Sequence, residues 1–165
     1  MNKAEFIYVT YIASTPEKVW NALTDSEMIK QYWSRHRNVS DWKVGSTWSH
    51  QDYDDSSKVD IVGKIVESNP TKRLVLTWAG ANEDFRNEKS SRVTFEIEPY
   101  LDAIRLTVTH EELEAGSKML EGITSGWPVV LSSLKTLLET GQPLSMTTRR
   151  WSGPPEQAKS KANLG

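Results

Sequence analysis

From residue 39 to residue 113 apolar and polar side chains alternate with a period of two, and from 119 to 140 the period becomes helical. Period two sends successive side chains to opposite faces of a strand, whereas a period near 3.6 gathers them into one stripe of a helix. Val59, Ile61, Gly63 and Ile65 alternate along one strand, Leu74, Leu76 and Trp78 along the next. Val93, Phe95 and Ile97, then Ile104, Leu106, Val108 and His110, mark two more. Val44-Gly45-Ser46 separates a short strand around Trp42 from one over 47–53, and residues 52–57 form an acidic, polar loop. The links are of hairpin length, which dictates antiparallel pairing, because parallel pairs need long crossovers. A sheet with one apolar face and a helix with one apolar stripe cover each other most economically by packing together.

Ahead of this region Phe6-Ile7-Tyr8-Val9-Thr10-Tyr11-Ile12 reads as a strand. Thr15 can cap a helix that opens on Pro16 and carries Val19, Trp20 and Leu23. A second short helix starts near Asp25 or Ser26 and carries Met28, Ile29, Tyr32 and Trp33. The polar stretch 80–91 reads as an exposed hairpin loop. In the last helix Ile123, Trp127, Val130, Leu131, Leu134, Leu137 and Leu138 form the stripe, and Gly141 is a natural stop. Pro128 removes one helical hydrogen bond and predicts a bend, or else a helix that starts only there, with Ser125 as cap. Beyond 141 the composition turns polar. Residues 1–141 are thus expected to form one α+β domain, and 142–165 a polar tail in which Trp151 could dock onto the domain or a partner.

Composition mainly excludes. The 165 residues carry 20 Lys plus Arg against 22 Asp plus Glu, so no global field draws the chain to nucleic acid or anionic membrane. Without cysteine there is no disulfide, thiolate catalysis or thiolate metal site. No apolar run approaches the roughly 18 residues of a membrane span, and the first residues hold no apolar signal core; a cytoplasmic protein is the expectation. Seven tryptophans are the unusual feature. An indole suits positions where an apolar wall meets a polar boundary.

Trp48 and His50 share one strand face, as do Val108 and His110. Pointing inward, they would place two imidazoles and an indole in an apolar cavity, the make-up of a small-molecule site with few orienting polar groups. Alternatively each histidine sits at a strand end, satisfied by backbone or water. Trp33, Trp78 and Trp127 belong to three elements that should converge on such a cavity, and Met119 and Ile123 could form its helix side, though plain core residues would look the same. Gly122 and Gly126 would leave room beneath the helix or allow close helix–sheet approach. His36, His50 and His110 lack paired ligand spacing, and His36 lies within Arg35-His36-Arg37, so no metal site is expected. No nucleophile–base set, phosphate-cradling glycine loop or paired carboxylates stand out, and no catalytic residue or cofactor is assigned. Glu111, Glu112 and Glu114 read as a solvated strand end, and Lys30, Arg35 and Arg37 as surface.

The run from Thr15-Pro16-Glu17-Lys18-Val19-Trp20 to Asp25 with Trp33, the run from Asn69-Pro70 to Trp78, and Gly126-Trp127 with Leu131, Leu134, Leu138, Glu139 and Gly141 resemble the START-like (SRPBCC) superfamily. Within it they are most similar to the branch related to the activator of the 90-kDa heat-shock chaperone's ATPase. The match spans about residues 5 to 141. The resemblance implies a helix-grip fold: a curved antiparallel sheet of about six to seven strands packed on a long C-terminal helix, two short helices after the first strand, and a pocket between. Superfamily members bind apolar or amphipathic molecules there, and some modify them. The expectation is therefore a binding protein for a small apolar molecule lined by Trp33, Trp48, His50, Trp78, His110, Met119, Ile123 and Trp127, without cofactor or metal. The alternatives are a cyclase- or hydrolase-type enzyme using His110 or His50 as proton carrier, and a chaperone cofactor touching its partner through Trp151. The chain lacks room for the eukaryotic activator's additional domain, which argues against chaperone contact without closing it off. A homodimer stays open.

Overall fold

The computed structural model describes residues 3–85 and 87–150. Strand β1 (Lys3–Ile12) leads into helices α1 (Pro16–Thr24) and α2 (Ser26–Tyr32). Six strands follow, β2 (His36–Val39), β3 (Thr47–Asp52), β4 (Val59–Asn69), β5 (Arg73–Gly80), β6 (Ser91–Tyr100) and β7 (Ala103–Glu114), and then the long helix α3 (Lys118–Thr140). The seven strands make one antiparallel sheet in the order β1-β7-β6-β5-β4-β3-β2, so hairpin succeeds hairpin and only β1 crosses over to pair with β7. This is the α+β helix-grip architecture: a curved sheet with α3 against its apolar face and α1 and α2 closing one end.

The elements form where local chemistry places them. Thr15 caps α1 through its side chain with Pro16 in the first turn, and Asp25 caps α2. Ser117 caps α3 by accepting from the Leu120 N–H at 3.1 Å, and the Glu88 carboxylate from the 81–90 loop takes the Lys118 and Met119 N–H groups. At the other end Gly141 adopts φ +83°, the left-handed conformation that ends helices at glycine. Along β7, Ile104, Leu106, Val108 and His110 are buried while their neighbours are not, the period-two pattern of a sheet covered on one face.

Two expectations are corrected. Trp42 is in no strand: it sits at φ +61° in the connection after β2, and the pairing partner of β3 is 36–39 instead. A left-handed residue cannot continue a pleated ladder. Nor does the last helix begin at Pro128, because α3 runs unbroken over 23 residues through it. The missing hydrogen bond frees the carbonyl of Thr124, an exposed residue, so water replaces it at small cost.

Beyond α3 the chain stays on the domain as far as 150. Thr147 is buried and its hydroxyl meets Ser133 Oγ at 2.7 Å, while Arg150 grips the buried Asp52. Trp151 lies outside the described residues. Lys30, Arg35 and Arg37 are taken up locally by Glu27, Asp54 and Gln51.

Candidate functional site

Between the sheet and α3 a cavity of about 210 Å³ remains open. Three indoles make its apolar wall, each from a different element: Trp33 caps the end of α2, Trp78 rides on β5 and Trp127 sits midway along α3. Their ring centroids are 6.2 Å (Trp33–Trp78), 5.3 Å (Trp33–Trp127) and 5.4 Å (Trp78–Trp127) apart. These are favourable aromatic separations, yet mostly tilted planes cannot fill the space between them. Ile123 and Val130 complete the helix side, with Gly122 and Gly126 where a larger residue would narrow the opening. A Cβ built on Gly122 would meet nothing within 4 Å.

Trp33 is held by its neighbour. The fully buried Tyr32 donates its hydroxyl to the Ala22 carbonyl at 2.6 Å, locking α2 onto α1. Immediately afterwards Ser34 and Arg35 take φ of 51° and 54°, two left-handed residues in succession, which swing the chain back into β2. That reversal sets the cavity's polar wall.

His36 and His50 stack at 4.6 Å with planes 8° apart. His36 Nδ1 faces the Ser34 carbonyl and Nε2 the Asp60 carboxylate, each at 2.7 Å. Both partners can only accept, so both ring nitrogens carry protons and His36 is an imidazolium paired with Asp60. Burial alone would lower the His36 pKa, but Asp60 and the Ser34 carbonyl outweigh it and the value is raised. Asp60, bonded to that cation, titrates below the usual carboxylate range. His50 is the reverse: burial first, and the His36 charge second, push it down to about 3. Its Nδ1–H donates to Asn38 Oδ1 at 2.7 Å, leaving a lone pair on Nε2.

Of the eight residues expected from the sequence, Trp33, His50, Trp78, Ile123 and Trp127 line this cavity. Trp48, His110 and Met119 stand one layer behind and hold the wall. The Trp127 N–H donates to His110 Nδ1 at 3.1 Å and the Trp78 N–H points at Met119 Sδ at 3.2 Å. Trp48 lies 5.3 Å from Trp78 and donates to the Thr77 carbonyl at 2.7 Å. Trp48 reaches that carbonyl across β4, and only glycine allows it: a Cβ on Gly63 would fall 1.9 Å from the Thr77 oxygen. His110 is fully buried, its pKa pushed by burial down to about 3. Sequence reasoning missed Ser34, His36 and Asp60. Among the described residues no group of His, Asp and Glu side chains is arranged to hold a metal ion, and no helix is long and apolar enough to cross a membrane.

Solved structures share this architecture. The Aha1 dimer from Colwellia psychrerythraea superimposes with a TM-score of 0.67 at 23% identity, covering 84% of this chain and 98% of that one. CalU16 from Micromonospora echinospora gives 0.71 at 18% identity, over 96% and 81%. An HSP90 activator from Plasmodium falciparum gives 0.67 at 23%, over 81% and 95%. At such identities the likeness speaks for the fold. No curated protein matches the chain significantly. The family model for activator of Hsp90 ATPase homolog 1-like proteins matches residues 13–139, and with three quarters of its length inside that match the chain belongs to this family.

Proposed function

We propose that the protein binds a small apolar or amphipathic molecule, about one ring in size, in the cavity between sheet and α3. The observation that carries this reading is that about 210 Å³ stays open where three indoles converge. An apolar cavity of about 150 Å³ already accepts benzene, so one somewhat larger takes a substituted ring. Burial at about 25 cal/mol per Å² of apolar surface supplies the driving force, and the indole faces supply ring-stacking geometry.

The enzyme alternative finds less support. A proton carrier needs a pKa near the working pH and a nitrogen free to meet substrate. His110 has neither, being bonded at both nitrogens, and His50 is too weakly basic to take up a proton near neutrality. The reading as a chaperone cofactor has no observation of its own in the described residues, since Trp151 lies outside them.

Native mass spectrometry of the purified protein tests the proposal by showing a co-purified small molecule. A titration with toluene, followed through the indole N–H resonances, gives the affinity. Gly122→Leu should lower toluene affinity by about tenfold while leaving stability equal or up to about 0.8 kcal/mol higher, because leucine is the better helix former. Unchanged affinity in this folded variant counts against the placement.

A further inference from the structure

We infer that the ligand carries a neutral hydrogen-bond donor, a hydroxyl on its ring, and delivers it to Nε2 of His50. The inference rests on the binding reading above and names the chemical class that the polar wall selects: a phenol or small aromatic alcohol rather than a hydrocarbon or an anion.

The polar groups around the cavity are partly spent on one another; the Ser34 hydroxyl and Asp60 Oδ1 keep open valences beside His50 Nε2, but of these side chains only His50 is deeply buried. Both nitrogens of His36 are engaged, by Ser34 and Asp60, and Asp60 Oδ2 is engaged by His36. His50 commits Nδ1 to Asn38, which does not line the cavity, so its cavity-facing edge is the Nε2 edge. Among the described residues no group bonds Nε2 of His50, although the residue is only 6% exposed. Nε2 is not among the sealed, unpartnered side-chain atoms of the described residues, so it is reached through the cavity, where a ligand donor can take the place of water. Its orientation is fixed by the Asn38 bond, by stacking on His36 and by the Trp33 ring packed against it at 4.7 Å, tilted by 44°. The lone pair is therefore held in place before any ligand arrives, which lowers the ordering cost of binding.

Charge settles the sign. A carboxylate or phenolate would bring its negative oxygen against a lone pair, and the nearby cation is already neutralised by Asp60. A neutral hydroxyl donates its proton to Nε2 and leaves the ring among Trp33, Trp78 and Trp127. The hydrogen bond forms without proton transfer, because burial and the adjacent imidazolium disfavour a charged His50.

The test compares phenol with toluene on the full chain, near neutral pH. Partition into an apolar cavity alone ranks toluene first, since the phenol hydroxyl must shed water. With an acceptor waiting, phenol binds at least as tightly as toluene. His50→Asn keeps a donor for Asn38 near the Nδ1 position and deletes Nε2; it should shift the phenol-to-toluene affinity ratio about fivefold toward toluene, the usual worth of one neutral hydrogen bond. A second readout needs no variant: the ¹⁵N resonance of His50 Nε2 moves toward the hydrogen-bonded range with phenol and stays put with toluene. If toluene binds more tightly by the same ratio in both proteins, or the resonance is indifferent to phenol, the hydroxyl inference is overturned while the cavity reading stands. If neither probe binds, the cavity reading falls and takes this inference with it.

Discussion

Two buried imidazoles stand on opposite sides of the same indole wall and are wired in opposite ways. Behind the wall, His110 accepts from Trp127 at Nδ1 and donates from Nε2 to Ser91 Oγ at 2.8 Å, and Ser91 passes its proton to the Trp78 carbonyl at 3.1 Å. Every donor in that chain has an acceptor, so the Nε2–H tautomer is fixed and nothing is left over. In front, His50 is the Nδ1–H tautomer, with one bond to Asn38 and one nitrogen open. Burial and charge state are alike; only the count of partners differs. A closed circuit fixes structure, whereas an open valence at the same depth is a place for something else to bind.

Near neutral pH the largest effect should come from breaking the closed circuit. His110→Leu removes the acceptor for a buried indole N–H, whose desolvation then goes uncompensated at about 1–3 kcal/mol. The variant should lose that much in urea denaturation and show a displaced Trp127 indole resonance. His50→Asn, which orphans nothing in the protein, should cost less. If the order is reversed, the two sites do not divide into scaffold and receptor as described.

How far the sequence reached follows the same division. Period two put His110 on the face of Leu106 and Val108, and Trp48 on the face of His50, because alternation is a property of one strand and needs no partner. The convergence of Trp33, Trp78 and Trp127 was legible from element order, since a helix packed on a sheet brings its middle over the central strands. What stayed hidden depended on register and on backbone outside the regular regions. His36 and Asp60 are 24 positions apart and meet through two registers, Asn38–His50 of β2 with β3 and His50–Ile61 of β3 with β4, and two left-handed residues that no local pattern announces. Expecting a strand around Trp42 placed the edge strand a few residues too late and left His36 in a surface basic run. Gly63 was the one overlooked clue, an interior strand glycine that marks the close approach of Trp48.

Acidification brings a pH effect common to both imidazoles. Each is held neutral in the folded chain down to about 3, while the unfolded chain protonates near 6.5. Between these values the unfolded state binds more protons, so stability falls as pH drops from about 6.5 toward 3. Each histidine contributes a slope of up to about 1.4 kcal/mol per pH unit. Asp60 and Asp52, with lowered pKa values, add to the loss only as pH falls below their ordinary value of 3.8. His110→Leu should reduce the slope between pH 4 and 6 by about one proton. An undiminished slope would mean that His110 is not held neutral.

The smallest effect isolates the third imidazole. His36 has a raised pKa, so the stabilisation from its pairing with Asp60 is complete below the unfolded value near 6.5 and is lost as pH climbs through the folded value. Its direction is thus opposite to that of His50 and His110, and together they give a stability maximum above pH 6.5. The size is modest, because the Asp60 side chain is 54% exposed and water screens the pair; about 1 kcal/mol or less is expected. His36→Gln can still donate to Asp60 but does not titrate, so in urea denaturation from pH 6.5 to 8.5 the variant should gain stability as His50 and His110 lose their protons in the unfolded chain, and the wild type should gain less or lose. An equal change in the two proteins would mean that His36 is neutral. The stacked pair would then hold two uncharged rings, and burial alone would keep the His50 lone pair free of a proton.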